Sequence, residues 1–283
     1  VGSGLIEVLC SPIIEACPFP NKEGMMSLLH SFYCWGAVSV ILGSTLFFTF
    51  FGVDNWRILA CLWALIPLYN IVNFAFCPIE PIVQDAESMS MTQLLGNRIF
   101  WLFLILMIAA GASEATMAQW TSAFAEESLG VDKSIGDLAG PCGFAFCMGL
   151  GRLWYGKKGE KLDLSAYMLG AGALCFVAYL TASLASVPLI SLTGCMISGL
   201  AVGIMWPGAI SLTSARMPTG GTALFALLAL AGDAGGTFGP SLVGLCTRSV
   251  ESNIQSGLLA ASIFPIILVV CILGIRWERS RNI

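Results

Sequence analysis

Residues 99–124 read IFWLFLILMIAAGASEATMAQWTSAF, an apolar stretch in which Glu114 is the single charged side chain. A transmembrane helix needs about 20 mostly apolar residues, so this stretch predicts one membrane crossing. A carboxylate at mid-membrane costs about 2.5–3.5 kcal/mol on insertion scales and therefore usually faces a protein-lined cavity. The stretch thus predicts a fold class and also indicates where function should be sought.

Segments of the same kind recur along the chain. We place nine of them at 1–17, 25–51, 56–78, 99–124, 135–155, 164–185, 188–213, 220–246 and 255–276. A β-barrel would instead show alternating apolar and polar residues in runs of about 10, and the sequence has no such alternation. The expected fold class is therefore an all-α polytopic membrane protein.

The composition agrees with this class. The chain is 57% hydrophobic and 11% charged, with a mean hydropathy of +0.85, whereas soluble domains are about 25% charged. Its 11 cysteines lie almost entirely in apolar segments without a Cys-x-x-Cys pair or a Cys/His cluster, which predicts neither disulfides nor metal ligands. We expect a monomer in the lipid bilayer, with no metal, no cofactor and no nucleic-acid partner.

The distribution of basic residues predicts the orientation. If the first segment runs inward, ten of the 13 Lys and Arg residues fall on the cytoplasmic side, including the basic turn at 156–161. Cytoplasmic loops of membrane proteins carry such an excess. The carboxyl terminus is then cytoplasmic, and the plasma (inner) membrane of a cell is the expected location.

An internal repeat predicts the architecture. The triplet Ser-Gly-Leu at residues 3–5, with Pro12, recurs at residues 198–200 with Pro207, and the helices that follow keep the same order. Parallel repeats of six helices are the organisation of major facilitator transporters. Three helices precede the repeat in the second half, so we expect three to be missing from the first, since the chain starts at Val1 inside an apolar run.

The nine segments then correspond to helices 4–12 of a twelve-helix major facilitator fold. Residues 1–78 are the remainder of an N-terminal six-helix bundle. Residues 79–98 form a cytoplasmic linker between bundles, and residues 99–283 form the C-terminal six-helix bundle.

Short motifs resemble one group within that superfamily. Residues 4–7 (Gly-Leu-Ile-Glu) with Ser11-Pro12, and then residues 28–32 (Leu-Leu-His-Ser-Phe), resemble helices four and five of the fucose–proton symporters. Residues 111–114 (Gly-Ala-Ser-Glu) with Trp120 are similar to the seventh helix of that group. The group carries Asn where this chain has Ser11. The resemblance implies a proton-coupled sugar transporter.

Three acids are candidates for proton coupling. The resemblance makes Glu7 the protonatable acid of helix four, and Glu114 lies on a helix expected to face Glu7 across a central cavity. Asp233 lies among glycines spaced as small-xxx-small pairs, which usually mark tight helix packing. A structural role and a coupling role are equally open for Asp233.

Polar and aromatic residues are candidates for substrate binding: Gln119, Trp120, His30, Trp206 and Asn70. Amides bond sugar hydroxyls, and an indole face covers the apolar face of a pyranose. Each has a structural alternative, because Trp120 could be an interfacial anchor, Asn70 could hold helices together, and His30 and Trp206 could be packing residues. Arg152 falls near a segment end and is interpreted as carrying little functional information.

These observations predict a secondary active transporter that takes up a small polar solute, most simply a sugar, together with protons or sodium. An exporter of drugs or metabolites with the same fold is the first alternative. A membrane-embedded enzyme that uses Glu and His as acid and base is the second. Against it, the sequence lacks a second His, a Gly-x-Ser-x-Gly elbow and a phosphate-binding loop.

Overall fold

A computed structural model describes residues 2–76, 88–249 and 253–281, and this part of the chain is helical without a strand. The helices are α1 (Gly2–Ala16), α2 (Lys22–Phe51), α3 (Trp56–Phe76), α4 (Met91–Gly96), α5 (Arg98–Ala123), α6 (Lys133–Asp137), α7 (Gly143–Lys158), α8 (Leu164–Leu184), α9 (Pro188–Val202), α10 (Met205–Arg216), α11 (Gly221–Ser249), α12 (Ile254–Ala261) and α13 (Ile263–Arg281). Each of the nine predicted segments coincides with one helix or with a short run of consecutive helices.

Among the described residues, 7 helical stretches are long and apolar enough to cross a membrane: Lys22–Phe51, Val53–Phe76, Arg98–Ser128, Leu164–Leu184, Pro188–Arg216, Gly221–Arg248 and Ile254–Glu278. The two other predicted segments are also helical. The first is α1, which has 15 residues. The second comprises α6 and α7, joined by a π-helical turn at Leu138–Cys142. The all-α membrane fold predicted from the sequence is therefore confirmed.

Two predicted helices are broken in the structure. The segment predicted at 188–213 divides between α9 and α10 at Gly203 and Ile204, and that at 255–276 divides between α12 and α13 at Ser262. Pro207 and Pro265 each lie in the first turn of the following helix. Proline is tolerated there because its missing N–H would have no partner within the helix.

The linker predicted at 79–98 is only partly described, since residues 79–87 lie outside the described residues. The described part contains α4, a helix that we did not predict. Ser90 and Gln93 form a capping box at its start, and the Met89 N–H donates to the Thr219 carbonyl at 2.8 Å. The division into two bundles joined by this segment remains a proposal.

The tightest packing lies where α5 crosses α11. A Cβ on Gly235 would collide with the Ile108 carbonyl, and one on Gly239 would lie 2.6 Å from the Ala112 carbonyl. The predicted small-xxx-small packing is confirmed for Gly235 and Gly239. Glu114 and Asp233 are carried by these same two helices, so the crossing fixes the separation of the two acids.

Helices α1 and α2 pack on the helices that follow α4. Helix α1 contacts α11 and α2, while α2 packs along α7. Helix α3 rests on α2, where Gly43 lies against the Trp63 ring, and Leu59 is its single buried residue. Most of the other residues of α3 are apolar and exposed, as expected for a helix that faces lipid.

Candidate functional site

A cavity of about 650 Å³ lies between α1 and α2 on one side and α5, α7, α10 and α11 on the other. Its wall is mainly apolar and aromatic. The charged and polar side chains that line it are Glu7, His30, Tyr33, Glu114, Gln119, Arg152 and Asp233, with Trp206 beside them. Helices of both proposed bundles therefore contribute to one site.

The three candidate acids all line this cavity. Glu7 comes from α1, Glu114 from α5 and Asp233 from α11. Their bonding differs. Within the described part of the chain, the carboxylates of Glu7 and Asp233 have no hydrogen bond or ion pair, whereas Glu114 has a strong partner.

That partner is Arg152 on α7, whose side chain is 2% exposed. Arg152 Nη2 donates to Glu114 Oε2 at 2.9 Å, and Nη1 donates to the His30 carbonyl at 2.9 Å and to Cys34 Sγ at 3.2 Å. Its Nε donates to the Gly203 carbonyl at 2.8 Å. A single guanidinium thus bonds α5, α2 and the break between α9 and α10.

The interpretation of Arg152 as a residue at a solvated segment end is wrong. Helix α7 continues to Lys158, so Arg152 lies roughly 9 Å inside its end at 1.5 Å per residue. A Cβ on Gly151 would lie only 2.8 Å from the Leu200 carbonyl, so glycine at this position allows α7 to approach α9 closely. Because of this close approach, the side chain is enclosed between helices instead of extending to water.

Two hydroxyl groups extend the network. Ser27 Oγ on α2 donates to the Arg152 carbonyl at 2.9 Å. Ser11 Oγ on α1 and His30 Nε2 form a hydrogen bond at 3.3 Å. His30 therefore joins α1 to α2 with its ring and contacts Arg152 through its carbonyl, while part of its side chain lines the cavity.

The candidate substrate-binding residues separate into two groups. Gln119 and Trp206 line the cavity together with His30, and the Trp206 ring lies where a Cβ on Gly232 would be. Trp120 lies instead in an open pocket beside it, where Nε1 donates to the Pro240 carbonyl at 3.0 Å. Asn70 is exposed on α3 and does not line this cavity.

Asp233 lies on α11 beside glycines that pack against other helices. This position explains why the sequence left a structural role and a coupling role equally open for Asp233. Gly235 and Gly239 face α5, whereas Gly232, Asp233 and Gly236 line the cavity. Residues three or four apart share one helix face, so the packing face and the cavity face lie side by side on α11. The glycines account for the packing, and the carboxylate faces the cavity.

The sequence profile of the Major Facilitator Superfamily matches residues 1–240, so the chain belongs to that family. This family consists of transporters, which favours transport over the enzyme alternative. The chain is an integral membrane protein built for secondary transport.

Two solved structures show the same fold. One is a variant of the E. coli fucose:proton symporter, with a TM-score of 0.77 and 13% identity over 96% of this chain and 74% of that one. Another is described as FucP in the outward conformation, with a TM-score of 0.75 and 12% identity over 96% and 73% of the two chains. The resemblance predicted from short motifs is confirmed as one of family and fold. Comparison with curated protein sequences gives no significant match.

Proposed function

We propose that this protein moves a small polar solute, most simply a sugar, with protons by alternating access of one central cavity. The observation that carries the proposal is the cavity itself. It lies between the helices of the two proposed bundles and contains three carboxylates and one guanidinium. Acids inside a membrane are expensive and are usually retained for proton or substrate movement.

The bonding of the acids suggests a division of roles. Glu7 has no partner among the described residues and is the simplest carrier of the coupled proton. Glu114 binds Arg152 and links the proton site to the packing of α2, α5 and α7. Asp233 faces the same space and is a second proton carrier in this proposal.

The remaining lining residues suit a sugar. Gln119 offers an amide that can both donate and accept hydrogen bonds, and Trp206 and Tyr33 offer aromatic faces. A volume of about 650 Å³ is within the usual range of small-molecule sites, roughly 300–1,000 Å³. Trp120, in the neighbouring pocket, would contact a solute on its way in.

We infer that the cavity is closed at the end where the start of α2 meets the end of α7. Gly24 at the start of α2 meets Gly156 near the end of α7, and Lys157 and Lys158 follow directly. If this basic end is cytoplasmic, with the carboxyl terminus on the same side, the cavity opens outward in the plasma membrane. A proton that enters down 100 mV then supplies about 2.3 kcal/mol, or roughly fiftyfold accumulation of a neutral solute.

The test is uptake of radiolabelled fucose in cells that express the protein. We expect accumulation that a protonophore abolishes, and that persists when external sodium is replaced by choline. Glu7→Gln should abolish accumulation, whereas Glu15→Gln, in the same helix but paired with Lys22 at its end, should not. Accumulation that is unchanged by the protonophore but requires external sodium would refute proton coupling.

An exporter with the same fold is the second candidate. The observation that favours it is the apolar part of the wall, which includes Ile6, Phe32, Phe144 and Met148. Simple hexoses would compete with the substrate of a sugar carrier but not with an apolar drug. Competition by hexoses therefore separates the two functions.

A further inference from the structure

A second pocket, which we call the outer pocket, opens between α5 and α11 beyond their crossing. It has a volume of about 680 Å³, within the usual range of small-molecule sites, roughly 300–1,000 Å³. Gln119, Trp120 and Ala123 of α5 form one wall, and one face of α11 within 240–248 forms the other. Gln119 also lines the central cavity, so the two spaces are neighbours.

The outer pocket lies away from the closed end of the central cavity. A Cβ on Gly140, just before α7, would lie 2.9 Å from the Thr121 side chain, whereas Arg152, further along α7, pairs with Glu114. Helices α5 and α7 are therefore antiparallel, and the outer pocket lies at the opposite end from the basic residues 157–158. A solute that approaches the central cavity from the outer side has this pocket on its route.

Arg248 gives the outer pocket a positive charge. It is exposed on α11, and among the described residues that line the pocket it is the single ionisable side chain. The other basic residues expected on the outer side have partners, since Lys133 lies 3.5 Å from Asp137 and Arg57 lies over the Trp56 ring. Within the described part of the chain, the Arg248 guanidinium has no hydrogen bond or ion pair. Its N–H donors are therefore available to a ligand.

The neutral groups of the outer pocket suit a sugar. The Trp120 ring is held in place, because Nε1 donates to the Pro240 carbonyl at 3.0 Å, and an indole can cover the apolar face of a pyranose. Ser241 Oγ and Thr247 Oγ1 each donate to a carbonyl of α11, and their lone pairs can accept hydrogen bonds from sugar hydroxyls. Gln119 adds an amide that both donates and accepts.

We propose that the outer pocket binds an acidic sugar, with the carboxylate of the solute on Arg248 and its ring on Trp120, before the solute moves into the central cavity. The inference rests on the proposed function and narrows its solute to sugars that carry a carboxylate, such as hexuronates. A guanidinium pairs with a carboxylate through two parallel hydrogen bonds, a contact that a neutral sugar cannot make. At 1.5 Å per residue, Ser241 and Arg248 lie about 10 Å apart along α11, which leaves room for one pyranose ring and its carboxylate.

The charges of the central cavity set a condition on the next step. Glu7 and Asp233 face that cavity without a partner among the described residues, and both would repel the carboxylate of the solute while they are ionised. Protons from the outer side that add to these two acids remove the repulsion. An acidic sugar therefore stays on Arg248 until the cavity is protonated, which couples its uptake to protons.

Equilibrium binding of radiolabelled glucuronate tests the site, with glucose as the neutral match that has the same ring. The full chain is held in polyoxyethylene micelles, which contain neither phosphate nor sugar. We expect glucuronate to bind about tenfold more tightly than glucose, since hydrogen bonds to charged groups are the stronger ones. Equal affinity for the two sugars would overturn the proposal.

Variants assign this preference to the outer pocket. Arg248→Gln should lower the affinity for glucuronate about tenfold, to that of glucose, and Arg248→Lys should retain part of the preference because it keeps the charge without the planar fork. Arg57→Gln is the matched control, because Arg57 is an exposed arginine beside a tryptophan and does not line the outer pocket. This control should bind glucuronate like the parent. Unchanged glucuronate binding in a folded Arg248→Gln protein would refute the assignment.

Two further measurements identify the source of the anion. Acetate and inorganic phosphate, each at the concentration at which glucuronate half-saturates the site, should displace little glucuronate. Displacement equal to that by unlabelled glucuronate would show a general anion site and contradict the proposal. Glucuronate should also bind in phosphatidylcholine nanodiscs, whereas loss of binding there would assign Arg248 to lipid phosphate and likewise contradict it.

Uptake measurements separate this inference from the proposed function. In cells that express the parent protein, glucuronate should inhibit fucose uptake at about one tenth of the glucose concentration, and the two concentrations should become equal in Arg248→Gln. Proton-driven fucose uptake that both sugars inhibit equally in the parent would support the transporter and overturn the outer site. Glucuronate binding that depends on Arg248, in a protein without proton-driven uptake of fucose or glucuronate, would support the outer site and refute the proposed function.

Discussion

The crossing of α5 and α11 allows a matched test, because two adjacent glycines have opposite surroundings. A methyl group on Gly235 would collide with the Ile108 carbonyl and lie 2.9 Å from the Ala112 nitrogen. A methyl group on Gly236 would lie 3.6 Å from the Ala115 Cβ, an ordinary contact at the edge of the cavity. Gly235→Ala and Gly236→Ala are thus the same chemical change in two environments.

The expected difference can be worked out from these contacts. Both changes gain helix propensity, up to about 1 kcal/mol each, and this gain cancels in the comparison. Overpacking costs typically 1–3 kcal/mol, and it applies only to Gly235→Ala. We therefore expect Gly235→Ala to be about 1–3 kcal/mol less stable than Gly236→Ala, or roughly 2–12 °C lower in melting temperature.

The assay is thermal unfolding in detergent with a thiol-reactive dye. Cys175 and Cys195 are buried in the helix core, so their labelling reports loss of packing. Fucose uptake should decrease in Gly235→Ala as well, because the crossing positions Glu114 and Asp233. A Gly235→Ala protein as stable as Gly236→Ala would refute the packing argument.

Three further substitutions test the placement of single residues. Asn70→Ala should leave fucose uptake within about twofold of the parent, since substitution of an exposed residue changes stability only slightly. Loss of uptake would show that Asn70 contributes to the substrate site. Trp120→Phe should cost about 1 kcal/mol of stability, because the hydrogen bond to the Pro240 carbonyl is lost. An unchanged melting temperature would contradict this hydrogen bond. Ser11→Ala should cost about 0.5–1.5 kcal/mol through the lost contact with His30, measured by the same thermal assay against Ser39→Ala, whose hydroxyl bonds within its own helix.

Much of the fold follows from hydropathy. An apolar segment in a membrane must satisfy its backbone groups internally, so length and composition nearly determine the helices. The helix break at Ser262 was not predicted, because Pro265 was placed inside a continuous segment. Helix α4 was missed although Ser90 and Gln93 carry a capping-box pattern.

The candidate site was predictable where one residue carries the signal. A lone acid in an apolar segment, such as Glu7 or Glu114, is visible in the sequence. Arg152 was not, because orientation rules treat basic residues as loop markers, and its partner Glu114 is 38 positions away in the chain. A distance of more than one helical turn between Arg152 and the following lysines was the available signal.

The position of Asn70 relative to the cavity could not be predicted for a different reason. Two amides one turn apart, Asn70 and Asn73, indicate a polar face of the helix. Such a face contributes to a binding site only when a neighbouring helix packs against it. Nearly all of α3 is exposed in the described part of the chain. Sequence periodicity cannot say which face of an apolar helix meets protein and which meets lipid.

The glycines of α7 have a mechanical consequence. Gly149 lies against Cys34 and Trp35, and Gly156 lies against Leu28, while Arg152, between them on the same face of α7, reaches α2 with its side chain. Interlocked side chains resist sliding, whereas a smooth ridge permits shear of a few ångströms without repacking. Lengthwise sliding of α2 along the two glycines would therefore first have to break the bonds of Arg152 to the His30 carbonyl and to Cys34.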